Sequence, residues 1–400
     1  MFNRNTLILL FTMIVMMLGF GIIIPIMPFF IELFGATGKD LGLLMAIFSV
    51  MQLIFSPFWG TFSDRVGRKP VLAIGVIGFG LANLFFALAT ELWMLYAARA
   101  LAGVLSAATF PTAMAYISDS TSEENRSGGM GIIGAAMGIG MVLGPGIGGL
   151  LGGKSLSLPF FVAAGTAGLA AILIFILLPE SLPPEARIAK KADRSGNQFS
   201  AMWLALIGPM GFLMFMAFLI SFGLTSFEGI FGLYAAYRYD YGPGMVGLLL
   251  TVVGLVAAVV QGGLTGPATK RFGESMVIKA SLIGSTFAFV WMVLAEDTVM
   301  VVISIAFFVI ANSMLRPAVA SLISRQAGSA QGAAMGLNNS FMSLGRTIGP
   351  AWAGYLLDVN LILPYLSGAV VFLVGFILSL YFMRAAPRSK AEVPEPVLMA

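Results

Sequence analysis

Long apolar runs separated by short polar breaks fill this chain from end to end. A helix needs about 20 mostly apolar residues to cross the hydrocarbon of a bilayer. Runs of that length fall near residues 6–34, 41–62, 70–90, 92–117, 128–151 and 158–178, and again near 203–235, 243–266, 275–295, 298–323, 330–356 and 361–383. The pattern predicts an all-α integral membrane protein with 12 transmembrane helices. Composition agrees: 59% of the 400 residues are hydrophobic and 10% are charged, against roughly 25% charged in a soluble domain. One soluble core could not enclose so much apolar surface, so the remaining solvent is lipid. The first run follows a single Arg4 and is longer than the apolar region of a signal peptide, so it reads as a retained first helix.

The break after the sixth run is different in kind. It reads Pro179-Glu180-Ser181-Leu182-Pro183-Pro184 and carries Arg187, Lys190, Lys191 and Arg194. This divides the chain into a six-helix bundle over 1–178, a linker over 179–202, a second six-helix bundle over 203–384 and a tail over 385–400. Of the loop and tail basic residues, 16 fall on the side of the termini and linker, while only Lys39, Lys154 and Arg238 fall on the other. That bias places both termini and the linker in the cytoplasm of a cell-membrane protein. The halves also repeat at an offset of about 205 residues. Gly140-Met-Val-Leu-Gly144-Pro145-Gly-Ile-Gly148-Gly149 pairs with Gly345-Arg-Thr-Ile-Gly349-Pro350-Ala-Trp-Ala-Gly354, and Gly60 to Gly67 pairs more weakly with Gly266 to Gly273. A repeat of six spans keeps its membrane orientation and creates a pseudo-two-fold axis along the membrane normal, with the substrate site at the interface.

Candidate chemistry is narrowed by absences. The chain has no Cys and no His, so disulfides, thiolate metal sites and the usual proton carrier near neutral pH are missing. Proton chemistry falls to carboxylates. No phosphate-binding G-x-x-x-x-G-K-[ST] loop and no catalytic constellation is present, so no enzyme activity, cofactor or metal is expected. The net charge of +4 is spread over short loops and does not suggest nucleic acid.

The break after the second run reads Gly60-Thr-Phe-Ser-Asp64-Arg65-Val-Gly67-Arg68-Lys69. It resembles the G-x-x-x-D-R-x-G-R-K signature of the major facilitator superfamily. Gly60 permits close packing, Gly67 a tight turn, and Asp64 can accept charge-assisted hydrogen bonds or face a helix N-terminus. The resemblance implies that this loop latches the two halves in the outward-open state. Gly140, Gly144, Pro145, Gly148 and Gly149 resemble the G-x-x-x-G-P-x-x-G-G motif of the family's antiporters, and a generic packing motif is the alternative. Arg99 resembles the family's fourth-helix arginine, with Ala102 where glutamine is common. Leu18-Gly19 and Pro25-Ile-Met-Pro28 resemble a first-helix exporter signature. Asp119 and Arg126 resemble a D-x₆-R element bracing the cytoplasmic side, a solvated surface pair being the alternative.

Within the superfamily the chain resembles the twelve-helix drug:proton antiporters of the NorA and Bmr type. The likeness lies in Ser221-Phe-Gly-Leu-Thr-Ser-Phe-Glu228, Arg316-Pro317 and Leu337-Asn338, and covers nearly all but the linker and tail. It implies a monomeric, proton-coupled exporter of small amphipathic compounds working by alternating access, with protons and lipid as its other partners. Export of an anionic or lipid-linked compound, or a non-transport role as a membrane sensor, are the alternatives. Two departures stand out. Ser313, beside Asn312, occupies a position where the group can carry a second acid, and Met16 stands where tetracycline exporters carry an aspartate.

Four charges fall well inside predicted spans: Arg99, Glu228, Arg316 and Arg346. Charge at mid-bilayer is costly and by default functional. The family fold lines its cavity with the first, fourth, seventh and tenth helices, which would let Arg99 and Glu228 face each other. Two readings follow. Glu228 carries the proton and attracts cationic substrate, or Glu228 and Arg99 form a static ion pair. Arg346 lines the cavity or pairs with Glu228, and three arginines against one acid keep an anionic or zwitterionic substrate open. Matched positions imply substrate contacts at Phe20, Phe48, Gln52, Met137, Met141, Phe231, Asn312, Ser313 and Asn338, together with Glu228, Arg316 and Arg346. Packing or lipid contact is the alternative for each.

Overall fold

The computed structural model describes residues 4–121, 123–189, 198–208, 210–327 and 331–383, and every regular element among them is helical. In the first half the helices are α1 (Arg4–Glu32), α2 (Gly38–Val66), α3 (Arg68–Ala87), α4 (Leu92–Ser106), α5 (Thr109–Ser120), α6 (Glu123–Gly152) and α7 (Leu158–Leu177). A short α8 (Pro184–Ala189) follows. The second half holds α9 (Gln198–Ile207), α10 (Gly211–Tyr239), α11 (Pro243–Val259), α12 (Thr265–Phe272), α13 (Glu274–Leu294), α14 (Thr298–Ala327), α15 (Gln331–Val359) and α16 (Leu363–Phe382).

Three predicted spans are broken. The fourth divides into α4 and α5 because Pro111 has no N–H to give the carbonyl of Ala107, one turn back. The seventh divides into α9 and α10 around residues 208–210. The eighth passes from α11 through a π turn, Val260–Leu264, into α12. Among the described residues, eleven spans are long and apolar enough to cross a membrane. The predicted eleventh span, α15, has 29 residues but is more polar, with Asn338, Asn339, Ser340, Ser343, Arg346 and Asp358 along it. It can be so because it packs on α10 and α2 rather than mainly on lipid.

The contacts repeat with the sequence. α1 packs on α6 as α10 packs on α15, and α3 packs on α7 as α13 packs on α16. The two groups meet chiefly along two symmetry-related seams, α2 with α15 and α6 with α11. The repeated glycine motif serves both kinds of contact. Its first two glycines bring the helix onto its partner in the same half: a Cβ at Gly144 would stand 2.6 Å from Gly21 Cα, and one at Gly349 would stand 2.7 Å from the Phe222 carbonyl oxygen. Its last glycine closes the seam to the other half. A Cβ at Gly149 would lie 2.7 Å from the Pro243 oxygen and 3.0 Å from Gly247 Cα. At Gly354, 205 residues on, a Cβ would strike the Gly38 oxygen and lie 3.2 Å from Gly42 Cα.

Both seams are closed at the end remote from the chain termini. There Asp358, near the end of α15, accepts hydrogen bonds from three groups at the start of α2: Gly38 N–H at 2.7 Å, Lys39 N–H at 2.9 Å and the Thr37 hydroxyl at 2.8 Å. These backbone donors have no partner within their own helix, and a carboxylate suits the positive end of the helix dipole. Toward the termini the seam helices stand apart. Gly60 of α2, Gly262 and Gly263 after α11 and Gly332 and Gly336 of α15 have open space where a Cβ would be. The cleft between the groups therefore opens on the side of the termini.

A bulky side chain at the last motif glycine must wedge the closed end apart. In a Thr37→Cys background, made specific by the absence of native cysteine, Gly354→Leu is expected to raise maleimide labelling of the purified protein at least several-fold. Unchanged labelling would mean that the glycine contact does not hold this end shut.

Candidate functional site: a charged cleft between two helix groups

The loop between α2 and α3 turns at Gly67, whose φ of +118° L side chains rarely adopt. A Cβ there would also strike the Glu180 carboxylate. α3 starts with no capping side chain and with Arg68 and Lys69 in its first turn, so its N–H donors lie open. Glu180, read from sequence as linker, accepts from the Arg68 N–H at 2.8 Å and the Lys69 N–H at 3.2 Å. Arg68 is 3% exposed and joins Asp64 at 2.7 Å, the Ser63 hydroxyl at 2.6 Å and Asp119 at 2.9 Å. The signature loop thus ties α2, α3, α5 and the start of the linker into one piece. Asp119 pairs with Arg68; the side chain of Arg126, its expected companion, lies outside those described.

Arg99 is 7% exposed and turns into its own half. Its Nε donates to the Leu44 carbonyl at 3.3 Å, and its guanidinium lies 4.6 Å from the Phe48 ring centroid. It lines a pocket with Ile23, Asn83, Phe86 and Phe160, enclosed by α1, α3, α4 and α7. A static Arg99–Glu228 ion pair, one of the two readings above, is not formed in this conformation, because the α2 backbone and Phe48 hold the guanidinium elsewhere. Phe20 joins the same cluster, 5.0 Å from Phe48 and 5.2 Å from Phe79. Gln52 bonds Ser106 at 3.5 Å.

Glu228 lies mid-way along α10, the most enclosed of the apolar helices. Its neighbours fix where it stands. A Cβ at Gly232 would meet Pro28 of α1 at 2.7 Å, and one at Gly229 would meet Met45 of α2 and Pro350 of α15, both at 3.1 Å. Glu228 is thus placed where helices of both groups converge. It is half-buried, and among the described residues it makes no ion pair and no hydrogen bond. Since protein surrounds α10, its remaining exposure is to the cleft. Phe231, expected to line the cavity, is 2% exposed and packs instead on Phe227 at 5.2 Å.

Arg316 and Arg346 are both exposed, mid-helix on α14 and α15. Arg346 donates to Ser343 on its own helix at 2.8 Å, and the two guanidinium groups lie near enough to repel each other. Asn312, Ser313 and Asn338 are buried close by in sequence; Asn338 reaches the Met342 sulfur at 3.7 Å. Met137 is half-buried and Met141 exposed on α6. Sequence reasoning missed Asp358, Thr37, Glu180 and Tyr96, which donates to Asp40 at 2.7 Å. Each is a polar residue in or near a connection between helices, where polarity carries no signal; only contact with a distant segment gives it meaning.

Two six-helix repeats around a charged cleft can be set beside known proteins. The sequence profile of the Major Facilitator Superfamily matches residues 9–261 and again 213–398. The chain belongs to the Major Facilitator Superfamily. It is 36% identical over 371 residues to multidrug resistance protein 2 of Bacillus subtilis, covering 92% of each chain. It is 33% identical over 387 residues to the quinolone resistance protein NorA of Staphylococcus aureus, covering 94% of this chain and 96% of that one. Among solved structures, a nucleoside transporter superposes with a TM-score of 0.82 at 12% identity, covering 95% of this chain and all of that one. A bacterial homologue of the human lysosomal transporter Spinster, in an inward-facing conformation, superposes with a TM-score of 0.78 at 15% identity, covering 96% of this chain and 98% of that one. This Major Facilitator Superfamily member is a multi-pass membrane protein and a transporter rather than an enzyme.

Removing one partner of a buried charge network leaves the others unsatisfied. Arg68→Met is expected to lower stability by about 3 kcal/mol, measured by titrating the purified protein with dodecyl sulfate and following tryptophan fluorescence. A change below about 0.5 kcal/mol would place Arg68 among surface pairs of little worth.

Proposed function

We propose that the chain is a proton-driven exporter of small amphipathic compounds that works by alternating access, with Glu228 as the proton carrier. The observation that carries this reading is a mid-membrane carboxylate with no ion-pair partner among the described residues, at the convergence of both helix groups. The multidrug and quinolone resistance relatives support the substrate class. The basic bias of the loops supports a cytoplasmic location for the termini, so the described conformation is open inward.

The coupling follows from solvation. With the cleft open, water stabilises ionised Glu228. Closing the cleft strips that water, and an isolated buried carboxylate costs several kcal/mol. The groups therefore rock past the closed state only when Glu228 holds a proton or meets a cationic group of the substrate. Proton and cation compete for one carboxylate, so entry of one drives release of the other. A charge crossing 100 mV supplies about 2.3 kcal/mol. Arg99, held by Leu44 and Phe48, is proposed to support the cavity wall. The protein acts as a monomer in the cell membrane.

In proteoliposomes, adding ethidium is expected to change lumenal pH with the native chain and to leave it unchanged with Glu228→Gln. Retained substrate-induced pH change in that variant would remove Glu228 from the coupling.

A further inference from the structure

Two guanidinium groups stand beside the cleft with no acid to meet them. Arg316 and Arg346 sit mid-helix on neighbouring helices, and both are exposed. A guanidinium facing lipid at this depth is costly, so the water these groups touch is that of the cleft. Among the described residues neither makes an ion pair, and the only hydrogen bond of either is that of Arg346 to Ser343. Packing does not explain two like charges near enough to repel, since apolar side chains would fill the space without repulsion. One turn before Arg316 on the same face of α14 lies Asn312, 3% exposed, whose Nδ2 donor has no partner. Donors with spare capacity thus lie on two packed helices, and among the described residues Ser343 is the only acceptor that meets any of them. Glu228 stands on α10, which packs against both helices.

We propose that Arg316, Arg346 and Asn312 form a subsite for the carboxylate of a zwitterionic amphiphile, whose cationic end is met by Glu228. The inference rests on the exporter reading above and names its substrate class. A purely cationic compound entering the cleft adds to two unpartnered positive charges. A compound that also carries a carboxylate cancels one of them and gains charge-assisted hydrogen bonds from planar guanidinium forks. Arg316 and Arg346 are then specificity-determining residues: they select among amphiphiles by the presence of an oxyanion.

Rhodamine B, a zwitterion at neutral pH, and its methyl ester, a cation, differ only at the carboxylate. Fluorescence anisotropy with the purified full-length protein reads both affinities. The native chain is expected to bind the acid about tenfold tighter than the ester. Arg316→Gln and Arg346→Gln should each bring that ratio close to one, and Arg346→Lys should keep most of it. Thermal unfolding of each variant is checked alongside. Equal binding of acid and ester by the native chain, binding of neither, or a ratio unchanged in both Gln variants overturns the subsite. The exporter reading fails separately, through absence of a substrate-induced pH change in proteoliposomes whatever the acid-to-ester ratio.

Discussion

The closed end of the molecule depends on backbone touching backbone. Gly149 against Gly247 and Gly354 against Gly42 bring helices of opposite halves to a distance that any side chain would forbid. Without a hydrophobic effect between helices in lipid, association rests on dispersion and on hydrogen bonds at close approach. Dispersion falls steeply with separation, so these seams are either shut or absent. That all-or-none character lets two rigid groups exchange between discrete arrangements rather than deform continuously. On one seam Asp358 adds directional hydrogen bonds to the start of α2. On the other, the equivalent helix start is Pro243, which has no N–H to offer. One seam is thus latched by polarity and contact, the other by contact alone.

The charges obey a similar economy. Arg68 is buried and fully engaged, with Asp64, Asp119 and Ser63 around it, and it stiffens the first half. Arg99 is buried without a carboxylate and is held by a carbonyl and an aromatic face, which suits a guanidinium better than an ammonium. Glu228 is half-buried and Arg316 and Arg346 are exposed, and among the described residues none of the three makes an ion pair. Burial with partners builds the scaffold, whereas exposure without them leaves the chemistry available.

Most of the fold was legible because the bilayer imposes a length on every element and because the repeated glycines sit at matching offsets. The seventh, eighth and fourth spans departed from that reading. Apolar length cannot show where Pro111 interrupts the ladder or where a π turn shifts the register. The site was legible as a set of charges but not as a set of pairs. Arg99 and Glu228 share an expected depth, yet Arg99 is held by Leu44 and Phe48, and depth is all that a count along the helix supplies. Phe231 failed for the same reason: an aromatic residue in a span rich in them can face its own bundle. Asp358 and Glu180 were invisible because a carboxylate at a helix end or in a connection is ordinary until a distant helix start is found beside it.

The two seam helices of opposite halves each carry a bending element at one level. Pro57 lies inside α2, and 205 residues later residue 262 falls inside the π turn between α11 and α12. Different means reach the same end, since proline and π turns are both recognised causes of helix bending. Beyond each elbow runs an arm of eight or nine residues, Phe58–Val66 and Thr265–Phe272, about 12–14 Å long at 1.5 Å per residue. A few degrees of flexing at each elbow would sweep the arm tips through an ångström or more. The mouth of the cleft can therefore breathe to fit visitors of different girth without unclasping the far end.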